Sequence, residues 1–330
     1  MAPRLVAGSS GVGLVAEISK LLGVQPVEAA LDPFPDGECH VLVDDLRGDD
    51  VYVVQSTGPP VNDHLVELLL LLDACTRSGA TRVTAVVPYL GYARQDRRTR
   101  AGQAIGARVV SHALAQAGAD RLVSVDPHGT GLESMSPVPV ETLSAIPTLT
   151  AAVRPDEPGV VVAPDLGAVR LAERFAGMLG LPVAVVRKAR TSGTEVRAEE
   201  LVGDVAGRRP VVVDDMIATG ATVEAAARLV GQRGARAGLV VAASHGVFVG
   251  EWTETLHRIR PSRVVVTDTL GAAGVVTDTL GSADVGPAIE RLSVAPLLSE
   301  AIGRLHRDEA MDDLAFPGGH EREEDGHGIS

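Results

Sequence analysis

The sequence predicts an α/β protein built from two doubly wound domains, each with a mostly parallel sheet. Short Val-rich runs such as GVVVAPD (159–165) and RVVVTDT (263–269) alternate with longer Ala- and Leu-rich segments. The centres of these runs are apolar at every position, which is typical of strands covered by helices on both faces. The alternation occurs twice, and a Pro-rich stretch at 137–159 separates the two series, which indicates a domain boundary.

Strands and helices follow each other in a regular order in both halves. In the first half the predicted elements are a strand at 49–56, a helix at 62–79, a strand at 82–90, a helix that ends near Gly118 and a strand at 121–128. Asn62 or Asp63 is expected to cap the first helix, and Gly79 to end it. In the second half the predicted segments are GVVVAPD, VRLAERFAGMLG, LPVAVVRKA, RPVVVDD, VEAAARLVGQRG, AGLVVAASHG and RVVVTDT.

We place the N-terminal domain at 1–146 and the C-terminal domain at 147–289. A helix within 290–316 is expected to join the N-terminal domain, and the polar, Gly-rich tail at 317–330 is expected to be disordered. With 330 residues, of which 45% are hydrophobic, the chain is long enough to form two cores. Because only 2% of the residues are aromatic, these cores must consist of Val, Leu, Ile and Ala.

One short segment of the chain is repeated. VVTDTLG occurs at 265–271 and again at 275–281, ten residues further on. Two copies of this length are too few and too short for a repeat architecture. We therefore interpret the repeat as a local duplication that enlarges a surface connection.

Composition and charge argue against some classes of binding partner. The net charge of -13 argues against nucleic acid, since binding to a phosphate backbone requires a basic surface. The longest apolar run, LVELLLLLDA (65–74), is far shorter than a membrane span. Cys39 and Cys75 are isolated, and the N-terminus lacks the pattern of a signal peptide. We expect a cytoplasmic protein with no nucleic-acid or membrane partner.

The stretch VVVDDMIATGAT (211–222) predicts a ligand site. It reads as a buried strand that ends in Asp214 and Asp215, followed by a loop of small residues and then a helix. Ligands of open α/β sheets bind beyond the carboxyl ends of strands, and the N–H groups at a helix N-terminus bind phosphate. Carboxylates repel phosphate but bind sugar hydroxyls or a hydrated magnesium ion. The phosphate-binding residues would be Ala218, Thr219, Gly220, Ala221 and Thr222.

The pattern therefore predicts a sugar phosphate, with its hydroxyls on the two acids and its phosphate on the loop. The alternative is an ordinary strand–turn–helix with two capping acids. VVVDDMIATGAT closely resembles the loop that binds phosphoribosyl pyrophosphate (PRPP) in type I phosphoribosyltransferases and PRPP synthetases. The transferases consume PRPP together with a base, whereas the synthetases make it from ATP and ribose 5-phosphate. This loop alone does not distinguish the transferases from the synthetases.

A basic cluster in this acidic chain distinguishes them. PYLGYARQDRRTR (88–100) follows a strand and contains four arginines, which can contact phosphate in pairs of hydrogen bonds and stack on bases. Taken alone, it could be a solvated loop. However, it is nearly identical to the ATP-binding segment of PRPP synthetases, and the transferases have no counterpart. The chain therefore resembles the ribose-phosphate pyrophosphokinase (PRPP synthetase) family, which implies domains of the type I phosphoribosyltransferase-like fold.

This resemblance implies the partners and the residues that bind them. The implied substrates are ATP and ribose 5-phosphate, and the implied cofactor is Mg²⁺. The matching ATP-binding residues are Arg94, Gln95, Asp96 and Arg97, together with Asp36, Gly37 and Glu38, which reach from a neighbouring subunit. The matching magnesium residues are His128 and Asp165. The family forms homo-oligomers in which dimers assemble into hexamers.

The segment VVRKARTSGTEV (185–196) predicts a strand that leads into a Gly-containing hairpin. Lys188 and Arg190 are two residues apart, so they share a face in an extended chain. Without the resemblance they would be taken for surface charges. The resemblance implies that they are catalytic and stabilise the negative charge that develops between the α- and β-phosphates.

Some positions depart from the family pattern. Ala218 and Ala221 replace the acid and the glycine that synthetases usually carry, and TGLESMS follows DPHG in place of the usual Gln and Phe residues. Regulation by phosphate and ADP uses Ser and Arg residues in many family members. Here the Arg is kept as Arg47, but the positions where the family carries serines are occupied by Asp45, Ala310 and Asp312. A carboxylate repels an anion, so we expect this regulation to be weak or absent.

The resemblance implies transfer of the β,γ-diphosphoryl group of ATP to the 1-hydroxyl of ribose 5-phosphate. Three alternatives remain open from the sequence: a non-catalytic regulatory paralogue, a paralogue that acts on a different pentose phosphate, and a phosphoribosyltransferase. The first usually loses the hairpin or the magnesium ligands, which are present here. The third does not explain PYLGYARQDRR or FPDGE (34–38).

Overall fold

The computed structural model describes residues 2–129, 131–154, 158–190, 197–271 and 289–315. Among these residues, no helix is both long enough and apolar enough to cross a membrane. The strands are β1 (Arg4–Ala7), β2 (Ala29–Pro33), β3 (Cys39–Val43), β4 (Asp50–Val54), β5 (Arg82–Val86), β6 (Arg121–Val125), β7 (Val140–Leu143), β8 (Gly159–Ala163), β9 (Val183–Arg190), β10 (Arg197–Val202), β11 (Arg209–Ile217), β12 (Val240–Gly246), β13 (Arg263–Thr267) and β14 (Ile289–Leu292). The helices are α1 (Val12–Leu22), α2 (Val61–Arg77), α3 (Gly106–Gln116), α4 (Leu132–Met135), α5 (Ile146–Val153), α6 (Val169–Leu179), α7 (Ala221–Gln232), α8 (Trp252–Ile259), α9 (Ala295–His306) and α10 (Asp312–Ala315).

The N-terminal sheet has five parallel strands in the order β1-β4-β5-β6-β7. Successive side chains of a strand point to opposite faces, and helices cover both faces here. Val51 and Val53 of β4 pack in the core that includes α2 and α3. Tyr52 and Val54 pack in the core that includes α1 and α9. The continuous apolar runs of the sequence result from this double coverage.

The C-terminal sheet has seven strands in the order β10-β9-β8-β11-β12-β13-β14. All neighbouring strands are parallel except β9 and β10, which form an antiparallel hairpin at one edge. In β11, Val211 and Val213 pack in a core that includes α5 and α6, while Val212 packs in a core that includes α7 and α8. Both sheets therefore agree with the predicted doubly wound, mostly parallel architecture.

The Pro-rich stretch at 137–159 contains regular structure that contributes to both sheets. It includes β7, the last strand of the N-terminal sheet, and α5, whose Ile146, Leu149 and Val153 pack in a core of the C-terminal sheet. Helix α9, near the C-terminus, packs in a core of the N-terminal sheet. The domain limits at 146/147 and 289/290 stay predictions.

One expectation from the sequence was wrong. Helix α2 begins at Val61 after Pro60, and neither Asn62 nor Asp63 is its cap residue. Pro60 has an extended backbone, and its carbonyl accepts a hydrogen bond from the N–H group of His64 at 3.1 Å. The side chain of Asn62 instead accepts a hydrogen bond from the hydroxyl of Tyr92.

The first copy of the repeated segment contains most of β13 and a contact between the two sheets. The Ser56 hydroxyl, which follows β4, donates a hydrogen bond to the carbonyl of Thr269. Leu270 packs against Tyr89 and Val247. The second copy, at 275–281, lies outside the described residues.

A polar network attaches the end of α9 to the N-terminal sheet. Arg82 donates two hydrogen bonds to the carboxylate of Asp50, at 2.8 and 2.7 Å, and a third to the carbonyl of Leu305 at 3.0 Å. The Nδ1 atom of His306 lies 2.6 Å from the same carboxylate. Burial raises the pKa of Asp50, but its contacts with Arg82 and His306 outweigh burial and lower it overall.

We predict that Arg82→Met destabilises the protein by about 2 kcal/mol, because it leaves the half-buried Asp50 without its main partner. The free energy of unfolding in urea measures this effect. Arg77→Met is the matched control, since Arg77 forms an exposed pair with Asp73 on the surface of α2. No measurable loss is expected for this control, and equal losses in the two variants would contradict a structural role for the Arg82 network.

Candidate active site

The carboxyl ends of the two sheets face each other, and two of the predicted site residues meet there. His128 follows β6 of the N-terminal sheet, and Asp215 lies near the end of β11 in the C-terminal sheet. The Nδ1 atom of His128 lies 2.6 Å from Oδ2 of Asp215, although the two residues are 87 positions apart in the chain. The sequence suggested a magnesium ligand and a sugar ligand, but it did not predict their contact.

Three carboxylates make this edge acidic. Burial raises the pKa of Asp214, and the nearby Asp215 and Asp165 raise it further. Burial also raises the pKa of Asp215, but its contacts with His128, Asp214 and His245 together outweigh burial and lower it overall. The hydrogen bond with Asp215 raises the pKa of His128. Close to these acids, the site favours hydroxyl donors or a cation over an anion.

The loop after β11 leads into a helix N-terminus that can accept an anion. Gly220 has a φ of 81°, and α7 begins at Ala221 with no side-chain cap. A Cβ at Gly220 would lie 2.6 Å from the ring of Trp252, so only glycine fits here. Neither Ala218 nor Ala221 has a positive φ, so their methyl groups cause no backbone strain. The first N–H groups of α7 lack intrahelical acceptors, as a phosphate site requires.

The basic segment at 94–97 lies beside His128. Asp96 is so close to Gly129 that a Cβ there would lie 2.6 Å from Asp96 Oδ2. Asp96 also raises the pKa of His128, whereas Arg94 lowers it, which shows that both charges are near the imidazole. The exposed members of the segment are Arg94, Gln95 and Arg97. Their side chains are therefore accessible to a ligand.

The other predicted ATP contact forms the turn of the β2–β3 hairpin. Gly37 has a φ of 93°, and the N–H group of Glu38 donates to Asp36 Oδ1 at 3.2 Å. The strands of the hairpin pack against the α2 core, and the turn is exposed. Among the described residues, this turn makes its hydrogen bonds within the hairpin. The structure does not bring it into contact with His128 in the same chain.

The predicted catalytic residues lie on β9. In the antiparallel pair with β10, Lys188 is opposite Glu199 and Arg190 is opposite Arg197. Strand β9 is parallel to β8, and the chain reaches Asp165 directly after β8. The end of β9 is therefore at the same carboxyl edge as Asp165. The predicted hairpin turn, at 191–196, lies outside the described residues.

The donors at this edge fit magnesium if the substrate completes the site. Oδ1 of Asp165 accepts hydrogen bonds from the N–H groups of Gly167 at 2.8 Å and Ala168 at 3.2 Å, which fixes the carboxylate at the strand end. Among the residues that the structure describes, no three His, Cys, Asp or Glu side chains converge closely enough to hold a metal ion. Magnesium is often held by one or two carboxylates together with substrate phosphates, which agrees with this arrangement.

Sequence reasoning missed one group of residues at the junction of the sheets: Asp126, Ser244 and His245. Ser244 and Asp126 are in direct contact although they are 118 positions apart. The sequence predicted only a strand for the segment AGLVVAASHG (237–246), which contains Ser244 and His245. Nothing in its local pattern indicates which residue it faces.

Comparisons with known proteins identify the family. A model described as the N-terminal domain of ribose phosphate pyrophosphokinase matches residues 3–118, and a model of the phosphoribosyl transferase domain matches residues 144–264. A ribose-phosphate pyrophosphokinase of Rhodopirellula baltica is 38% identical over 318 residues, which cover 94% of this chain and 98% of that protein. The chain belongs to the ribose-phosphate pyrophosphokinase family.

Two further relatives agree with this assignment. A ribose-phosphate pyrophosphokinase of Aquifex aeolicus is 37% identical over 315 residues, which cover 94% of this chain and 98% of that protein. The crystal structure of the phosphoribosylpyrophosphate synthetase from Mycobacterium smegmatis matches with a TM-score of 0.84 and 35% identity. The match covers 93% of this chain and 100% of that one. The predicted family, the predicted fold and the enzyme class of a ribose-phosphate pyrophosphokinase are thereby confirmed.

The electrostatics of this pyrophosphokinase site predict that Asp214→Asn is more stable than the wild type without ligands. The pKa of Asp214 is higher in the folded chain than in the unfolded chain. Its contribution to stability is therefore present below the ordinary carboxyl pKa and is lost as the pH rises towards the folded value. The uncharged Asn does not suffer this loss. We expect a gain on the order of 1–2 kcal/mol at neutral pH.

Thermal unfolding in magnesium-free buffer, from about pH 5 to about pH 8, measures this difference. The melting temperature of Asp214→Asn should exceed that of the wild type by an amount that increases as the pH rises. Asp204→Asn is the control, because Asp204 is an exposed acid in the loop between β10 and β11. If the difference in melting temperature stays constant or narrows as the pH rises, the pKa of Asp214 is not raised in the folded chain.

Proposed function

We propose that this enzyme transfers the β,γ-diphosphoryl group of ATP to the 1-hydroxyl of ribose 5-phosphate, which yields PRPP and AMP. The oxygen of the 1-hydroxyl attacks the β-phosphorus and loses its proton. The bond from the β-phosphorus to the bridging oxygen breaks, and AMP leaves with that oxygen. Transfer of this kind depends on positioning and charge neutralisation more than on covalent catalysis.

The observation that carries the proposal is the meeting of the two sheets at His128 and Asp215. The N-terminal side contributes the basic segment at 94–97, and the C-terminal side contributes the acid pair and the uncapped N-terminus of α7. A nucleotide and a sugar phosphate bound to these two sides would meet at the contact between them. Family membership supports the same pair of substrates.

On the sugar side, the site separates hydroxyls from phosphate. Asp214 and Asp215 accept hydrogen bonds from the ribose hydroxyls, and a second anion so close to them would be repelled. The 5-phosphate binds to the backbone N–H groups of the loop that continues into α7, where the helix dipole favours negative charge. The residues of this loop are Ala218, Thr219, Gly220, Ala221 and Thr222.

On the nucleotide side, the chain supplies positive charge around the phosphates. Arg94 and Arg97 bind phosphate oxygens or stack on the base. Lys188 and Arg190 stabilise the charge that develops between the α- and β-phosphates; their strand ends at the carboxyl edge that carries Asp165. His128 and Asp165 would hold Mg²⁺. When bound, magnesium neutralises phosphate charge and orients the reacting group.

We also propose a cytoplasmic homo-oligomer that is built from dimers, with a hexamer as the arrangement implied by the family. Three exposed apolar side chains support an interface on the hairpin and on α2: Phe34, Leu42 and Val66, which are 50%, 62% and 51% exposed. An interface there would bring Asp36, Gly37 and Glu38 near another subunit. Both cysteines, Cys39 and Cys75, are free thiols, as expected in a reducing compartment.

An assay of the products tests the proposed reaction. The protein is incubated with ATP, Mg²⁺ and ribose 5-phosphate, and AMP and PRPP are quantified together. Equal amounts of both products are expected, with strongly reduced formation in Lys188→Ala, whose position carries the proposed charge stabilisation.

The other outcomes of this assay separate the alternatives. Activity with another pentose phosphate alone indicates a paralogue of different specificity. No AMP with any pentose phosphate indicates a regulatory paralogue. Consumption of PRPP with a base, without AMP formation from ATP, indicates a transferase. Each of these results would overturn the proposed reaction.

Regulation by phosphate is expected to be weak. Ala310 and Asp312 line an open pocket of about 320 Å³ that contains several carboxylates, and its one arginine, Arg121, is paired with Glu141. Asp45 turns towards its own loop and accepts a hydrogen bond from the N–H group of Arg47 at 3.2 Å. The acidic residues of the pocket are Glu141, Asp308, Glu309 and Asp312. This surface repels an anion.

We therefore predict that inorganic phosphate changes the rate of PRPP formation by less than about twofold, because the acidic pocket gives it no stable site. Phosphate is titrated in the product assay, and sulfate and chloride at the same ionic strength are the controls. Activation that is strong, saturable and specific to phosphate would contradict this prediction.

A further inference from the structure

The backbone of Asp126 adopts a conformation that other contacts must hold in place. Its φ is 36°, in the left-handed region that is unfavourable for residues other than glycine. Asp tolerates this region better than most side chains, but it still requires support from its surroundings. Asp126 directly follows β6 and precedes His128 by two residues. The orientation of His128 therefore depends on how Asp126 is held.

Support for the side chain of Asp126 comes from both sheets. The Ser244 hydroxyl, on β12 of the C-terminal sheet, donates to Asp126 Oδ2 at 2.6 Å. The backbone N–H group of Ala145 donates to the same oxygen at 2.9 Å. The N–H group of Asp126 donates to the carbonyl of Leu143 at 2.9 Å. Ser244 is completely buried, so its hydroxyl has no access to water.

The backbone of Asp126 is held by the next residue of β12. Nε2 of His245 lies 3.2 Å from the carbonyl oxygen of Asp126, and Nδ1 lies 2.8 Å from the hydroxyl of Thr269. Since a carbonyl oxygen only accepts, Nε2 must carry the proton, and Nδ1 accepts from Thr269. Burial lowers the pKa of His245, which agrees with this neutral form. The ring of Tyr89 packs edge-on against His245, with 5.0 Å between the ring centroids.

We propose that Ser244 and His245 are positioning residues for the reaction, because they hold Asp126 and thereby set His128 against Asp215. Adjacent residues of one strand hold the side chain and the backbone of Asp126 at the same time. The inference rests on the proposed function insofar as His128 and Asp215 act in PRPP formation. We call these three residues, Asp126, Ser244 and His245, the Asp126 clamp.

A purely structural role would not require this arrangement. If β12 only had to pack against the N-terminal sheet, an apolar residue at 244 would serve without a desolvated hydroxyl. The clamp connects β12 to the loop that carries His128, while Asp215 lies on β11, the strand next to β12. The clamp therefore fixes the distance between two strand ends that belong to different sheets.

The first test is a double-mutant cycle of Ser244→Ala with His128→Ala. Ser244→Ala alone should lower kcat for PRPP formation about tenfold, because small displacements in a site of this kind are costly. The KM for ribose 5-phosphate should change by less than about twofold. In the His128→Ala background, the same substitution should cause almost no further loss, because the clamp acts through His128.

If Ser244→Ala lowers kcat equally in the wild-type and His128→Ala backgrounds, Ser244 does not act through His128 and the inference is overturned. An unchanged kcat for Ser244→Ala alone would also overturn it. The matched control is Ser111→Ala, which removes an equally buried hydroxyl that donates to the carbonyl of Arg108 within α3. This control should keep wild-type kcat.

A second test does not depend on activity. In magnesium-free protein labelled at histidine nitrogen, the Nδ1–H group of His128 should give a downfield proton signal, because its hydrogen bond to a carboxylate is short. His128→Ala assigns the signal. It should be lost in Ser244→Ala and kept in Ser111→Ala. An unchanged signal in Ser244→Ala would overturn the clamp, whereas absence of PRPP formation in wild type would overturn only the proposed function.

Discussion

The site exists because the carboxyl edges of two sheets are held against each other. One half of its chemistry follows β6 and the other half follows β11, and neither sheet contains both. The junction combines an apolar contact of Tyr89 and Leu270 with buried hydrogen bonds, among them those from Ser56 to Thr269 and from Ser244 to Asp126. Buried polar contacts of this kind are directional, so they fix one relative placement where apolar packing alone would tolerate several.

This placement separates charges that would otherwise interfere. The acid pair at the end of β11 repels anions, while the N-terminus of α7, a few residues further on, attracts them. A ligand that combines hydroxyls with a phosphate at the right distance satisfies both. Burial and the nearby acids raise the pKa of Asp214, so positive charge and hydroxyl donors close to it would favour its charged form. Binding of the substrate and of a cation would supply both.

Local pattern was sufficient for most of the fold and for the parts of the site that lie on one segment. The apolar run Val211–Val213 predicts a buried strand, and the small residues after Asp215 predict an accessible helix N-terminus. Both features depend only on residues that are close together in the chain. The contact between His128 and Asp215 could not be predicted in this way, since 87 positions separate them. The same holds for the first copy of VVTDTLG, whose Thr269 and Leu270 contact Ser56 and Tyr89 of the N-terminal half. The prolines at 137–159 indicated a domain boundary, so β7 and α5 were not predicted there. The burial of these two elements depends on the two sheets.

A crystal structure of the enzyme with ribose 5-phosphate and Mg²⁺ tests most directly whether the two strand edges form one site. In that structure the 5-phosphate should lie on the N–H groups at the start of α7, and Asp214 and Asp215 should accept hydrogen bonds from the ribose hydroxyls. The 1-hydroxyl should face the end of β6, where Arg94 and His128 lie. A sugar phosphate bound elsewhere, or bound with its phosphate towards the N-terminal sheet, would contradict the central claim that the two strand edges form one site.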